Sequence, residues 1–187
     1  MRPDVQVKVY TNDLTGSFGA KWFTDKNGNI FLRKTKMLRK KIDVMAKCWI
    51  NGKKALPFTR FSSRIAWFNG QYFVKLDEEF NPADGFGQST NEWNCWQNYC
   101  TSQWRHYLVP IVAHGTSEDE KGVFWVAQPK VTFLPDFKVS AYMQAKAFKK
   151  IDKLIENMGL LDVGYDYGNG WAIEVESGLP KIFDYGV

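Results

Sequence analysis

Three Asn-Gly dipeptides, Asn27-Gly28, Asn51-Gly52 and Asn69-Gly70, constrain the first half of this chain more than any other feature. A tight two-residue hairpin turn needs positive φ angles, which Asn and Gly adopt at low cost. Each dipeptide stands between residues of strand-like composition, so the chain up to Leu76 reads as successive hairpins. The third is the clearest: residues 64–68 and 71–76 flank Asn69-Gly70, and the second flank reads Tyr72-Phe73-Val74-Lys75-Leu76. The flanking sequences do not match one another, so the hairpins are not an internal repeat.

Further along, residues 78–90 carry Asn81-Pro82 and two glycines, Gly85 and Gly87, and read as a loop. A helix is expected over 91–105, with Trp93, Trp96, Gln97, Tyr99 and Cys100 spaced along one face. Residues 107–113 and 123–131 read as strands around the acidic turn 117–122, the first bent by Pro110. A long helix runs from the N-cap Ser140 to Met158, with Tyr142, Ala145, Phe148, Ile151, Leu154, Ile155 and Met158 in one stripe and Gly159 as its C-cap. A polar loop ending in Asn169, a strand, a turn at Ser177-Gly178, a second strand and Asp184-Tyr185-Gly186 complete the order. The fold class is α+β: a sheet with one helix laid on it, then a helical part carrying a small hairpin.

A length of 187 residues suits one domain, and a hydrophobic fraction of 44% lets it bury a core rather than stay disordered. A net charge of +5 and a pI near 9.0 favour acidic partners. Cys48, Cys95 and Cys100 make no metal-binding spacing and leave one thiol over in any disulfide scheme. With no apolar leader at the N-terminus, reduced thiols in a cytoplasm are expected. No apolar run reaches the roughly 18 residues of a membrane span.

Phosphoryl transfer needs a fixed cation for the phosphates, side-chain oxygens for magnesium and a group that orients the acceptor. Lys75 lies inside an otherwise apolar strand, where an ammonium group needs a partner, and Glu92 near the start of the next helix is its natural one. Asn169 and Asp184 stand at the two ends of the closing hairpin, as oxygen ligands for magnesium would.

In that order, Lys75, Glu92, Asn169 and Asp184 make residues 56–186 resemble a minimal protein-kinase-like fold of the sort bacteriophages encode. Matching pieces are the Lys75 strand, Asn91-Glu92-Trp93, the strand Phe124-Trp125-Val126-Ala127-Gln128-Pro129-Lys130-Val131, Tyr167-Gly168-Asn169 and Phe183-Asp184-Tyr185-Gly186. The resemblance implies an antiparallel N-lobe sheet with one packed helix, then a reduced C-terminal part with one long helix and a final β-hairpin. It implies ATP and Mg2+ as cofactors, with Lys75 on the phosphates, the segment Gln128 to Val131 (Lys130 included) contacting the adenine through backbone groups, and Asn169 and Asp184 on the metal. It divides the chain into 1–55, a hairpin extension with a basic stretch, and 56–187, a truncated kinase-like domain.

Three departures from the family weaken the chemistry. Gly164 stands where the family has its catalytic Asp, leaving Asp166 or Asp162 to act as base. The glycine-rich phosphate loop is replaced by a segment whose small residues are Ser62 and Ser63. No activation segment or helical platform follows Gly186. A pseudokinase-like protein that binds a host or viral macromolecule is therefore expected, in the host cytoplasm, ahead of an active ATP-dependent Ser/Thr-type kinase. A third reading is a basic nucleic-acid-binding protein. It rests on Arg33, Lys34, Lys36, Arg39, Lys40 and Lys41, six charges in nine residues between two expected hairpins.

Overall fold

A computed structural model describes residues 1–11, 14, 22–24, 26, 30–32, 35–58, 64–77, 87–160, 163, 166–168 and 170–185, with 22–24, 30–32 and 35–38 described by backbone alone. In β1 (Val5–Val9), buried Val7 and Val9 alternate with exposed Gln6 and Lys8, the period of a strand with one face in a core. The short strands β2 (Trp22–Thr24) and β3 (Ile30–Leu32) pair antiparallel, and the Asn27-Gly28 turn between them lies outside the described residues. Next come α1 (Thr35–Met45), β4 (Ala46–Ile50) and β5 (Lys53–Lys54). Asn51 (φ 53) and Gly52 (φ 74) turn β4 into β5 with both central residues left-handed. A three-stranded antiparallel sheet results, in the order β1-β4-β5.

The basic stretch thus enters a helix instead of joining two hairpins. Ile42 and Met45 of α1 are buried while Arg39, Lys40 and Lys41 are exposed, so these three charges are on the solvated side of the helix.

A second sheet begins with β6 (Leu56–Phe58), β7 (Ala66–Phe68) and β8 (Tyr72–Leu76). Phe68 pairs with Phe73, and Asn69 N donates to Tyr72 O at 3.3 Å, which places the two-residue loop at Gly70-Gln71, one position later than expected. Gly70 takes the positive φ (95°), while the Asn69 side chain accepts from Gln71 N and Tyr72 N. Asn69 serves the turn as a hydrogen-bond acceptor rather than through its own backbone.

α2 (Gln88–Tyr99) starts earlier and stops sooner than the expected 91–105. Ser102 then caps a separate 3-10 turn, Gln103–Tyr107, accepting from Trp104 N at 3.1 Å. Of the expected strand 107–113, Tyr107 ends that turn and Ala113 opens β9, and residues 108–112 between them form no strand. They run extended, with Val109 N bonded to Ile182 O and Val112 N to Ala127 O, both at 2.9 Å. β9 (Ala113–Thr116) and β10 (Phe124–Pro129) complete a five-stranded antiparallel sheet ordered β6-β7-β8-β10-β9.

α3 (Ala141–Met158) has the expected ends: Ser140 Oγ accepts from Met143 N at 3.2 Å, and Gly159 is left-handed at φ 64. β11 (Trp171–Ile173) and β12 (Pro180–Ile182) pair antiparallel, with Gly178 (φ 66) in the turn between them.

The five-stranded sheet divides the core. Val74, Leu76, Trp125 and Ala127 face a first cluster, shared with Val7, Val9, Leu14, Ile42, Met45, Cys48 and Ile50. Val126 faces a second cluster with Ile151 and Leu154 of α3, Trp171 and Ile173 of β11, Ile182 of β12 and Tyr185. Lys75 lies between Val74 and Leu76 and pairs with Val126, so strand alternation turns it to the second side. β8 is flanked by β7 and β10, which makes Lys75 a residue of an inner strand.

Candidate functional site

The site is built where the end of β8 meets the start of α2. Gly87, the residue before α2, offers no side-chain cap. Asp77, two positions after Lys75, supplies one instead: its carboxylate accepts from Ser89 N, Thr90 N (3.3 Å) and Thr90 Oγ1 (2.7 Å). An anion at a helix N-terminus also meets the favourable end of the helix dipole. A Cβ at Gly87 would run into the Asp77 carboxylate, so glycine is required there by close approach. Ser89 Oγ donates to Lys75 O at 3.1 Å. These bonds fix the helix against the strand. On the other face of α2, the Trp93 ring stacks on His114 of β9 at a centroid distance of 3.8 Å.

With helix and strand joined in this way, Glu92 meets Lys75. Lys75 Nζ donates to Glu92 Oε1 at 2.8 Å and to Phe183 O at 2.7 Å. Asp184 Oδ1 lies 4.0 Å from the same ammonium group. Three of the four residues singled out in the sequence thus share one site, although 17 positions separate Lys75 from Glu92 and 108 separate it from Phe183.

Arg64, which the sequence reading did not single out, is at the centre. Its side chain is 2% exposed. It donates through one nitrogen to Ser89 Oγ (3.0 Å) and Glu92 Oε2 (3.2 Å), and through the other to Glu92 Oε1 (3.1 Å) and Asp184 Oδ1 (2.7 Å). The planar fork of a guanidinium suits this two-carboxylate contact as an ammonium would not. Burial alone would push the Glu92 carboxyl up, but Arg64 and Lys75 outweigh it and hold it at about 2. Burial alone would lower the Arg64 pKa, and Glu92 and Asp184 reverse that to a net rise. Burial raises the Asp77 pKa against the hydrogen bonds from Thr90 and Ser89.

The closing hairpin carries Asp184 to this place. Gly170 O accepts from Phe183 N (2.8 Å) and Asp184 N (3.3 Å), holding the loop before β11 against the segment after β12. Tyr185, fully buried, anchors the next position by donating its hydroxyl to Val109 O at 2.8 Å. Burial, with Glu92 nearby, raises the Tyr185 pKa well above its ordinary value.

The remaining expected residues fall as follows. Gln128 is buried on the Lys75 side of β10, with its amide nitrogen 3.5 Å from Val109 O. Lys130 is exposed, and its backbone N–H is bonded to Gln71 O at 2.6 Å. Asp166 is exposed in the loop before β11. Ser62, Ser63, Asp162, Gly164, Asn169, Arg33 and Lys34 lie outside the described residues, as does the Lys36 side chain.

Of the two expected magnesium ligands, Asn169 lies outside the described residues, and Asp184 is held in the carboxylate–cation cluster. Both Glu92 oxygens are held by the two cations, and Asp184 Oδ1 is already bonded to Arg64. Among the described residues, no group of three or more His, Cys, Asp and Glu side chains is placed to hold a metal ion. Nor is any helix long and apolar enough to cross a membrane.

Comparisons with protein-family models, curated proteins and solved structures found no match for this chain.

Proposed function

We propose that this chain is a kinase-fold protein that binds nucleotide phosphates at Lys75 and acts by binding a macromolecular partner more than by catalytic turnover. The observation that carries the reading is the assembly of Lys75, Glu92 and Asp184 within 4.0 Å of one ammonium group. Support comes from their positions: Lys75 is on the third strand of the five-stranded sheet in chain order, and Glu92 is on the helix that follows it. In protein kinases the phosphate-binding lysine is on the third strand and pairs with a glutamate of the next helix. Weak transfer is inferred from Gly164, which replaces a carboxylate in the loop before Asn169, and from the exposure of Asp166. A phosphate-bound nucleotide without an oriented acceptor is held, not turned over.

Thermal melting and calorimetric titration with ATP test the proposal. Millimolar ATP should raise the melting temperature of the wild type by mass action, and Lys75→Met should remove that rise. Labelled ATP should yield little phosphotransfer. Absence of any ATP-dependent shift or titration heat would remove the nucleotide reading, and rapid transfer abolished by Asp166→Ala would replace it with an active kinase.

A further inference from the structure

We propose that Arg64 stands in for the divalent cation that a kinase-type nucleotide site recruits from solution, so that this site takes nucleoside triphosphate free of metal. The inference rests on the nucleotide reading above and fixes the form of ligand that the site accepts.

Arg64 stands two residues before β7, and its guanidinium reaches both carboxylates of the site. Its 2.7 Å bond to Asp184 Oδ1 is shorter than either of its bonds to Glu92. Magnesium requires oxygen ligands at about 2.0–2.1 Å in near-octahedral geometry. An ion bound to Asp184 Oδ1 would therefore sit beside a fixed guanidinium already bonded to that atom. The guanidinium is enclosed and fixed by its bonds to Ser89, Glu92 and Asp184, so an ion on that same oxygen would face a like charge that cannot move away. Arg64 and Lys75, at 2.7 Å and 4.0 Å from this oxygen, set two positive charges against the two carboxylates of Glu92 and Asp184, so the site is balanced without an added ion. Glu92 holds both in place from the helix side. The carboxylate that would repel a phosphate is thus already offset by the chain. Asp184 is 47% exposed and Lys75 15%, so the pair stays open to a ligand while Arg64 is enclosed.

The test is calorimetric titration of the full chain with ATP in EDTA and in magnesium, with thermal melting in Mn2+ alone, for wild type, Arg64→Gln, Arg64→Lys and Asp184→Asn. Wild type should bind ATP within about twofold in the two buffers and show no Mn2+ shift. Arg64→Gln should acquire an Mn2+ shift and bind ATP at least about tenfold better with magnesium than in EDTA. Lysine cannot span Glu92 and Asp184 together, so Arg64→Lys should acquire the same dependence in smaller degree and stands in if the glutamine variant does not fold. ATP binding by the wild type only with magnesium would overturn the inference and leave the nucleotide reading intact. So would an Mn2+ shift in the wild type that Asp184→Asn removes. Indifference to EDTA in both Arg64 variants would likewise overturn it. Failure to bind ATP in either buffer would remove both.

Discussion

Glu92 is enclosed, and two cations hold it ionised. Its carboxyl titrates at about 2 in the folded chain against an ordinary 4.5, so its ion pairs stabilise the fold fully above 4.5, and that stabilisation is lost as pH falls toward 2. Asp77 acts in the opposite sense. Its folded pKa is raised, so protonation favours the fold and partly offsets the loss as pH drops toward the carboxylate range. Acid melting of wild type and Glu92→Gln should separate the two effects. The variant should lose about 3–5 kcal/mol at neutral pH, because two buried cations lose a partner, and its acid branch should be flatter. A wild-type stability that stays level from pH 6 to pH 3 would contradict this account. At this scale part of the site is legible from residue type alone. Lys75 drew attention because a charge inside an apolar strand demands an explanation. Arg64 did not, because it stands just before its strand and its partners lie 28 and 120 positions away. No local pattern encodes a buried arginine whose need is met at that distance.

At the scale of elements, legibility followed the locality of the signal. α3 was readable because its cap, stripe and terminating glycine lie within twenty consecutive residues, Ser140 to Gly159. α1 was hidden because Lys36, Arg39, Lys40 and Lys41 are interleaved with its apolar positions, among which Ile42 and Met45 enter the core. Residues 107–113 looked like a strand because they are apolar, yet their backbone bonds are divided between β10 and β12 instead of forming a ladder. The start of α2 was misread for a related reason: its cap comes from Asp77, on the preceding strand, not from a flanking residue. Asp77→Ala should therefore cost about 1–2 kcal/mol, as loss of an ordinary N-cap does, and Gly87→Ala should act in the same direction by displacing the carboxylate. Both should weaken the proposed ATP binding as well, since Glu92 is on the helix being capped. Urea melts and titrations of the two variants check this. Unchanged stability in Asp77→Ala would show that α2 is held by packing alone.

Over the whole molecule, the antiparallel sheets and their helices agree with the α+β class expected from the alternation of hairpins and helices. What the sequence hid is how the sheets share a core. The sheet change falls between Lys54 and Leu56, where the family resemblance divides the chain, but the first cluster crosses it: Val7, Val9, Ile42, Met45 and Cys48 pack with Trp67, Val74, Leu76 and Ala127. Backbone bonds from Tyr10 and Asn51 stay within the first sheet region, whereas Glu118 N donates to Val7 O and Val9 N to Asp119, tying β1 to the β9–β10 turn. A chain cut to residues 56–187 should thus expose one face of the five-stranded sheet and fail to fold, visible as dye binding, loss of near-ultraviolet ellipticity and self-association. A sharp, cooperative melt of that piece would show that the second cluster suffices on its own.

The bond between Arg64 and Asp184 also bears on the order of folding. Closing a contact between residues 120 positions apart costs more chain entropy than pairing β7 with β8 or laying α2 on its strand. The sheet and helix can form with Arg64 already bound to Glu92, and Asp184 joins when the closing hairpin docks. An interaction made that late is absent from the rate-limiting barrier. Asp184→Asn should therefore leave the refolding rate almost unchanged and shorten the lifetime of the folded state, a split that stopped-flow refolding and unfolding limbs measure directly.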